Sequence, residues 1–270
     1  MEKNNQHFPL VDTHCHLQDV RMASELTLLL AEARSAGIGG FVCCGSGEED
    51  WGRVRELAAV HHDVVAFLGV HPFYVQEQGA GWLDLLGNYL TFHPEFGVGE
   101  IGLDGLVSCG NMDEQEMVFT KQLRLARDLR RPVSLHCRKA WDRMLPILKK
   151  EGGLLHGGAF HAWSGSPELI REVEKLGAHV GFGASITRSA NSKVRRSLLA
   201  VSPERLLIET DAPDIPPVFV KEGINRPAYL RHTFSAIAEI LGVGEQPLQK
   251  QLYRNSLSFL SPLCRVGLTS

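Results

Sequence analysis

The chain lacks a CxxC pair, a membrane-length apolar run, an excess of positive charge and any internal repeat. Its cysteines, at 15, 43, 44, 109, 137 and 264, together with the lack of a signal peptide, read as reduced thiols and a cytoplasmic location. No apolar stretch approaches the roughly 18 residues that span a bilayer, so no membrane association is expected. Lysine and arginine number 28 against 31 acidic residues, a net charge of −3. That balance argues against gripping long duplex nucleic acid through many phosphates, while leaving local binding of a short strand open. No low-complexity linker divides the 270 residues, 44 % of which are hydrophobic. The expectation is one domain over residues 9–262, flanked by polar tails at 1–8 and 263–270, with no obligate protein partner.

What is present is a series of short apolar strands, each followed by a helix. The strands are expected at 9–14, 38–44, 64–70, 96–101, 132–136, 158–161, 178–182 and 205–211. Helices are expected at 24–36, 49–60, 82–90, 113–130, 140–150, 167–176, 193–200, 228–241 and 247–260. The fifth of these helices is expected to break or kink near Pro146, and Ser166 to cap the sixth. Wholly apolar strands suit a parallel sheet covered on both faces. The fold expected is α/β, a (β/α)8 TIM barrel of the metal-dependent hydrolase type, with a doubly wound open sheet as the alternative. The polar residues favour the barrel. Strands one, three, four, five, six and eight each end in His, Glu or Asp, and in a barrel those ends converge on one mouth.

The centre of the pattern is Val98-Gly-Glu-Ile-Gly-Leu-Asp104. A carboxylate in an apolar strand needs a hydrogen-bonded partner or a cation to offset its burial. Glu100 is read as the bridge of a two-metal site, the alternative being an ion pair with Arg or Lys. Strand alternation puts His14 and His16 on one side and Cys15 on the other. His136 and His161 would supply a second metal, with His156 competing for the place of His161. Asp211 completes the set, and the nearby Glu209 either ligates in its place or supports it from behind. Mixed imidazole and carboxylate donors suit several divalent metals, and two ions, Mg, Mn or Zn, are expected. His71 either contacts the substrate or serves as a cap. Arg138 either forks onto a phosphate or pairs with Glu209 or Asp104. Asp104 is expected to hydrogen-bond a ligand histidine. Phe73, Tyr74 and Trp163 either stack an unpaired base or pack under the loops. In the basic run Arg188, Lys193, Arg195 and Arg196, a solvated helix face is preferred over a phosphate track.

The motifs DTHCH, GVHP, GEIGLD, PVSLHCR, HxxSGS and ETDAP, in this order from about Leu10 to Leu260, resemble the TatD family of metal-dependent deoxyribonucleases. ETDAPDIP and Asn225-Arg-Pro are most similar to its YjjV-type branch. The resemblance implies an amidohydrolase-like barrel with His14, His16, Glu100, His136, His161 and Asp211 as metal ligands. It implies a hydrolase with DNA, as a single strand or an end, as the partner; the catalytic groups expected are Asp211, Glu100 and His71. Arg138, Trp163, Ser164 and Tyr74 are the expected substrate contacts. The chain departs from the family at Ala162-Trp163, at Gly105 and before Asn225, none of them a ligand. The alternatives are an ester or amide hydrolase, such as an aminoacyl-tRNA deacylase, and a metal-binding protein without turnover.

Overall fold

Eight parallel strands lie side by side in chain order. They are β1 Leu10–Cys15, β2 Ile38–Cys44, β3 Val64–Leu68, β4 Gly97–Asp104, β5 Val133–Arg138, β6 Gly158–Phe160, β7 Ala178–Phe182 and β8 Leu206–Ile208. The computed structural model describes residues 8–106, 111–188 and 192–263. Among these are the helices α1 Leu26–Ser35, α2 Glu48–Val60, α3 Trp82–Phe92, α4 Met112–Asp128, α5 Trp141–Lys150, α6 Pro167–Lys175, α7 Ser192–Ala200, α8 Leu230–Leu241 and α9 Glu245–Leu260. The result is the (β/α)8 barrel that the strand–helix alternation predicts.

The sheet closes between β1 and β8 through residues just past the ladder. The Asp211 N–H donates to the His14 carbonyl at 2.9 Å and the His16 N–H to the Ala212 carbonyl at 2.7 Å. Below them, the buried Asp12 carboxylate accepts the Thr210 N–H at 2.9 Å and the Thr210 hydroxyl at 2.5 Å. This seam brings the DTHCH and ETDAP segments together.

Several boundaries differ from the pattern, for physical reasons. β4 runs on to Asp104 because its ladder with β5 continues through Gly102↔His136 and Asp104↔Arg138. Gly102 is required there: a Cβ would lie 1.9 Å from the His136 carbonyl oxygen. β8 stops at Ile208, and Asp211 has a left-handed φ of 60°. Pro146 sits inside α5 without ending it. It forgoes one backbone bond to a carbonyl in the first turn, which a short helix packed on β5 and buried through Met144, Leu145 and Leu148 tolerates. Ser166 precedes α6, but its side chain makes no capping bond.

α4 does more than cover the sheet. Its capping box pairs Asn111 with Glu114, and its buried face includes Val118, Phe119, Leu123 and Ala126. Gln115 and Gln122, two turns apart on that face, are buried as well. Gln115 bonds the backbone N–H and carbonyl of Asp104 at 2.8 and 3.2 Å. Gln122 does the same for Val70 at 2.7 and 3.1 Å. The two amides thus satisfy strand ends that would otherwise be buried unpaired, and they fix the ends of β4 and β3.

The lower end of the barrel is plugged by Val11, Val42, Val65, Phe67, Ala159 and Leu207, capped by Tyr253, Phe259 and Leu260 of α9. Phe8 and Leu263, assigned to the tails by the pattern, pack into this cluster. Cys109 and Cys264 lie outside the described residues, as do 1–7 and 264–270 of the expected tails.

Candidate metal centre

The six expected ligands converge at the mouth, around one carboxylate. Glu100 is 2 % exposed and its two oxygens face different partners. Oε2 is 3.2 Å from His14 Nε2 and 3.4 Å from His16 Nε2. Oε1 is 2.8 Å from His136 Nδ1 and 2.7 Å from His161 Nε2. Asp211 Oδ1 lies 3.5 Å from His16 Nε2 and 3.7 Å from His14 Nε2. His156, which competed with His161, precedes β6 and so belongs to the opposite rim.

His14, His16 and His136 are each held by their outward nitrogen. His16 Nδ1 faces the Cys44 carbonyl at 2.8 Å and must carry the proton there. His136 Nε2 donates to Asp104 Oδ2 at 2.9 Å, the contact expected of Asp104. His14 Nδ1 meets the Ser134 hydroxyl at 2.8 Å. In the neutral rings of His16 and His136 the inward nitrogen is thus the one left to take a cation; these nitrogens lie 3.3 Å from His14 Nε2 and 3.1 Å from His161 Nε2. Converging lone pairs beside a carboxylate repel unless a proton or a cation stands between them. Glu100 Oε1 is, moreover, buried with no well-formed hydrogen bond. The donor set fits divalent metal ions.

His71 differs. Its Nδ1 accepts the Phe73 N–H at 3.1 Å, so the proton of the neutral ring sits on Nε2, 3.4 Å from Glu100 Oε1. A nitrogen that carries the ring proton is a donor and not a metal ligand.

The electrostatics follow from burial and partners. Burial, then the neighbouring His161, pushes His14 down to about 4, keeping it neutral as a ligand must be. Burial also disfavours charge on His16 and His136. Contacts with Asp211 and Glu100 reverse this for His16, and contacts with Asp104 and Glu100 lift His136 to about 9. A proton there does for the carboxylates what a cation would do. Burial would raise Glu100, but His161, His71 and His14 hold it well below its usual range. Glu209 goes the other way: burial, and then the nearby Asp211 and Asp12, push it up.

The remaining candidates divide. Arg138 Nε bonds Asp104 Oδ2 at 2.7 Å while the side chain, 44 % exposed, lines the cleft. Tyr74 is exposed in the cleft, 6.2 Å ring to ring from His71. Ser164 lines the cleft and donates its hydroxyl to the Cys137 carbonyl at 2.7 Å. Trp163 borders the cleft but is 2 % exposed, its ring packed against Trp141 and Phe160 at 4.6 and 5.9 Å between centroids, so of the two expectations the structure favours packing under the loops. Of the basic run, Lys193 reaches the cleft.

Four supporting groups had weak sequence signals. Ser134 is a polar residue inside the apolar PVSLHC strand. Gln115 and Gln122 are polar positions on the apolar face of a helix. Glu209 accepts the Ala162 N–H, holding the residue after His161 at a left-handed φ of 41°. Its carboxyl fills the space beside Gly181, where a Cβ would lie 2.3 Å from Oε2.

The model of the family described as TatD related DNase matches residues 11–261. The metal-dependent hydrolase YjjV of Escherichia coli K12 is 30 % identical over 253 residues, 93 % of this chain and 97 % of that protein. The 3'-5' ssDNA/RNA exonuclease TatD of Klebsiella pneumoniae is 31 % identical over 91 % of this chain and 95 % of its own length. The crystal structure of E. coli YjjV superposes with a TM-score of 0.87 at 29 % identity, covering 93 % of this chain and 97 % of that one. No helix among the described residues is long and apolar enough to cross a membrane. With His, Glu and Asp side chains that could hold a metal gathered at the barrel mouth, the chain belongs to the TatD related DNase family of metal-dependent hydrolases.

Proposed function

We propose that the protein is a two-cation phosphodiesterase that trims single-stranded nucleic acid from its 3′ end. The observation that carries this is the division of the Glu100 carboxylate, one oxygen toward His14 and His16 and the other toward His136 and His161. His14, His16 and Asp211 would hold one divalent ion, His136 and His161 the other, and Glu100 both; Mg, Mn and Zn are the candidates. Bound there, the ions neutralise the phosphate and make a water acidic enough to attack at neutral pH.

The chain's own groups do the rest. Asp211 is the base: His16, His161 and His14 outweigh its burial and hold it below its ordinary value, so it is ionised and accepts the proton of the attacking water. His71 presents its Nε2–H toward the same space and donates to a phosphoryl oxygen. Asp104 keeps His136 in the tautomer that turns Nδ1 inward. The named activity of the Klebsiella relative supports nucleic acid as substrate.

End-labelled single-stranded and duplex DNA, incubated with manganese or magnesium and again with chelator, tests the reading. Mononucleotide release that chelator abolishes is the expected result. Ester or aminoacyl-tRNA hydrolysis without cleavage of any DNA would overturn it.

A further inference from the structure

The cleft above the strand ends, about 980 Å³, has two chemically opposite halves. On the β5–β7 side it is lined by Arg138, Ser164 and Lys193. Arg138 engages Asp104 through Nε, and its terminal nitrogens have no hydrogen bond among the described residues. Lys193 Nζ lies 2.7 Å from the Ser164 carbonyl.

On the β1–β3 side the lining carries Asp19, Glu48, Glu49, Asp50 and Glu77. The cation of this half, Arg21, is already bound to Asp19 and Asp214 at 2.8–2.9 Å. The start of α2, which would ordinarily attract a phosphate, is closed by its own side chain. Asp50 accepts the Ser46 N–H at 2.9 Å and the Gly47 N–H at 3.3 Å. Glu48 Oε2 takes the Gly79 N–H at 3.3 Å.

Phe73 and Tyr74 stand at the border. The Arg138 guanidinium lies 5.7 Å from the Phe73 ring centroid. Tyr74 lies toward the acids: after burial, Glu77, Asp50 and Asp19 are what push its hydroxyl up. Both rings adjoin His71, at 4.5 and 6.2 Å.

Resting on the function proposed above, we infer that the acidic half is an end stop for the strand. It admits a terminal nucleoside with a free 3′ hydroxyl and refuses one that ends in a phosphate. The terminal base rests against Phe73 and Tyr74, its 5′ phosphate lies over Glu100, and the preceding phosphates run past Arg138 and Lys193. The chemistry balances. Water bonds to that phosphorus, the bond from phosphorus to the preceding 3′ oxygen breaks, and that oxygen takes a proton. The products are a 5′-mononucleotide and a strand that again ends in a 3′ hydroxyl. Each cut therefore regenerates the end that the cleft accepts.

The test compares a single-stranded oligonucleotide ending in 3′ hydroxyl with the same one ending in 3′ phosphate. Both rates are normalised to hydrolysis of bis(p-nitrophenyl) phosphate, which has no strand end. The wild type is expected to prefer the hydroxyl end at least about tenfold in kcat/KM, narrowing as salt screens the acids. The triple variant Glu48→Gln, Glu49→Gln, Glu77→Gln should bring the two ends within about threefold. Equal digestion of both ends by the wild type, or full preference in the triple variant, overturns the end stop and leaves the nuclease reading standing. No hydrolysis of the oligonucleotides or of the small diester removes the nuclease reading, and the end stop with it.

Discussion

The two ends of the barrel each bury an uncharged imidazole, and they treat it differently. At the mouth, burial pushes His14 to about 4, yet Ser134 and Glu100 take its nitrogens. At the plugged end, burial pushes His179 of β7 to about 4 as well, and its two nitrogens have no well-formed hydrogen bond. His179 instead lies beside Phe259, 6.0 Å between ring centroids. The same residue type thus meets a hydroxyl and a carboxylate at one rim and an aromatic ring at the other, where the Arg205 charge adds to burial in keeping it neutral. Burial does not separate the two. A second set of polar groups aimed at the ring does.

Breaking the mouth has the largest expected effect. Glu100→Ala should cut turnover on the order of 10³-fold or more, since it removes more than a single charge-stabilising donor. Metal content of the purified protein should fall with it; unchanged content would remove the bridging role. Breaking the plug should do the reverse. Phe259→Ala should cost about 3–5 kcal/mol of stability by denaturant unfolding, with the activity of the folded fraction kept.

A milder change sharpens the contrast. Asp104→Asn should weaken metal binding by about 10–100-fold, read by metal titration, while melting of the metal-free protein moves little. A comparable loss of metal-free stability would mean that Asp104 serves the strand end and not His136.

The smallest effect concerns pH. The folded state holds His179 below its unfolded value, so it binds fewer protons than the unfolded chain. Its share of stability is present above pH 6.5 and is lost as pH falls toward 4. His179→Phe should therefore gain stability relative to the wild type between pH 6.5 and 5, by about 2 kcal/mol at the lower value. Parallel stability curves for the two proteins across that range would show that this ring is not desolvated.

Periodicity carried the barrel. Eight apolar runs alternating with amphipathic helices leave few other ways to cover both faces of a parallel sheet. Boundaries were legible where turn residues mark them, as at Gly37 after α1. They were not legible where the ladder with a neighbour decides, as in the last three residues of β4. Trp163 shows the same limit: a ring just past a strand end packs inward or outward according to Trp141 and Phe160, which its own neighbours in sequence do not reveal.

The sequence by itself determined which side chains gather at the mouth, because strand alternation and strand ends are local properties. Only the tertiary structure decided which nitrogen of each ring faces inward. The Cys44 carbonyl that turns His16 is 28 residues away, and the Ser134 hydroxyl that turns His14 is 120 away. It likewise decided that one half of the cleft is acidic and the other basic. Charges far apart in the chain share a wall only once the barrel has closed, and a field is a sum over positions in space.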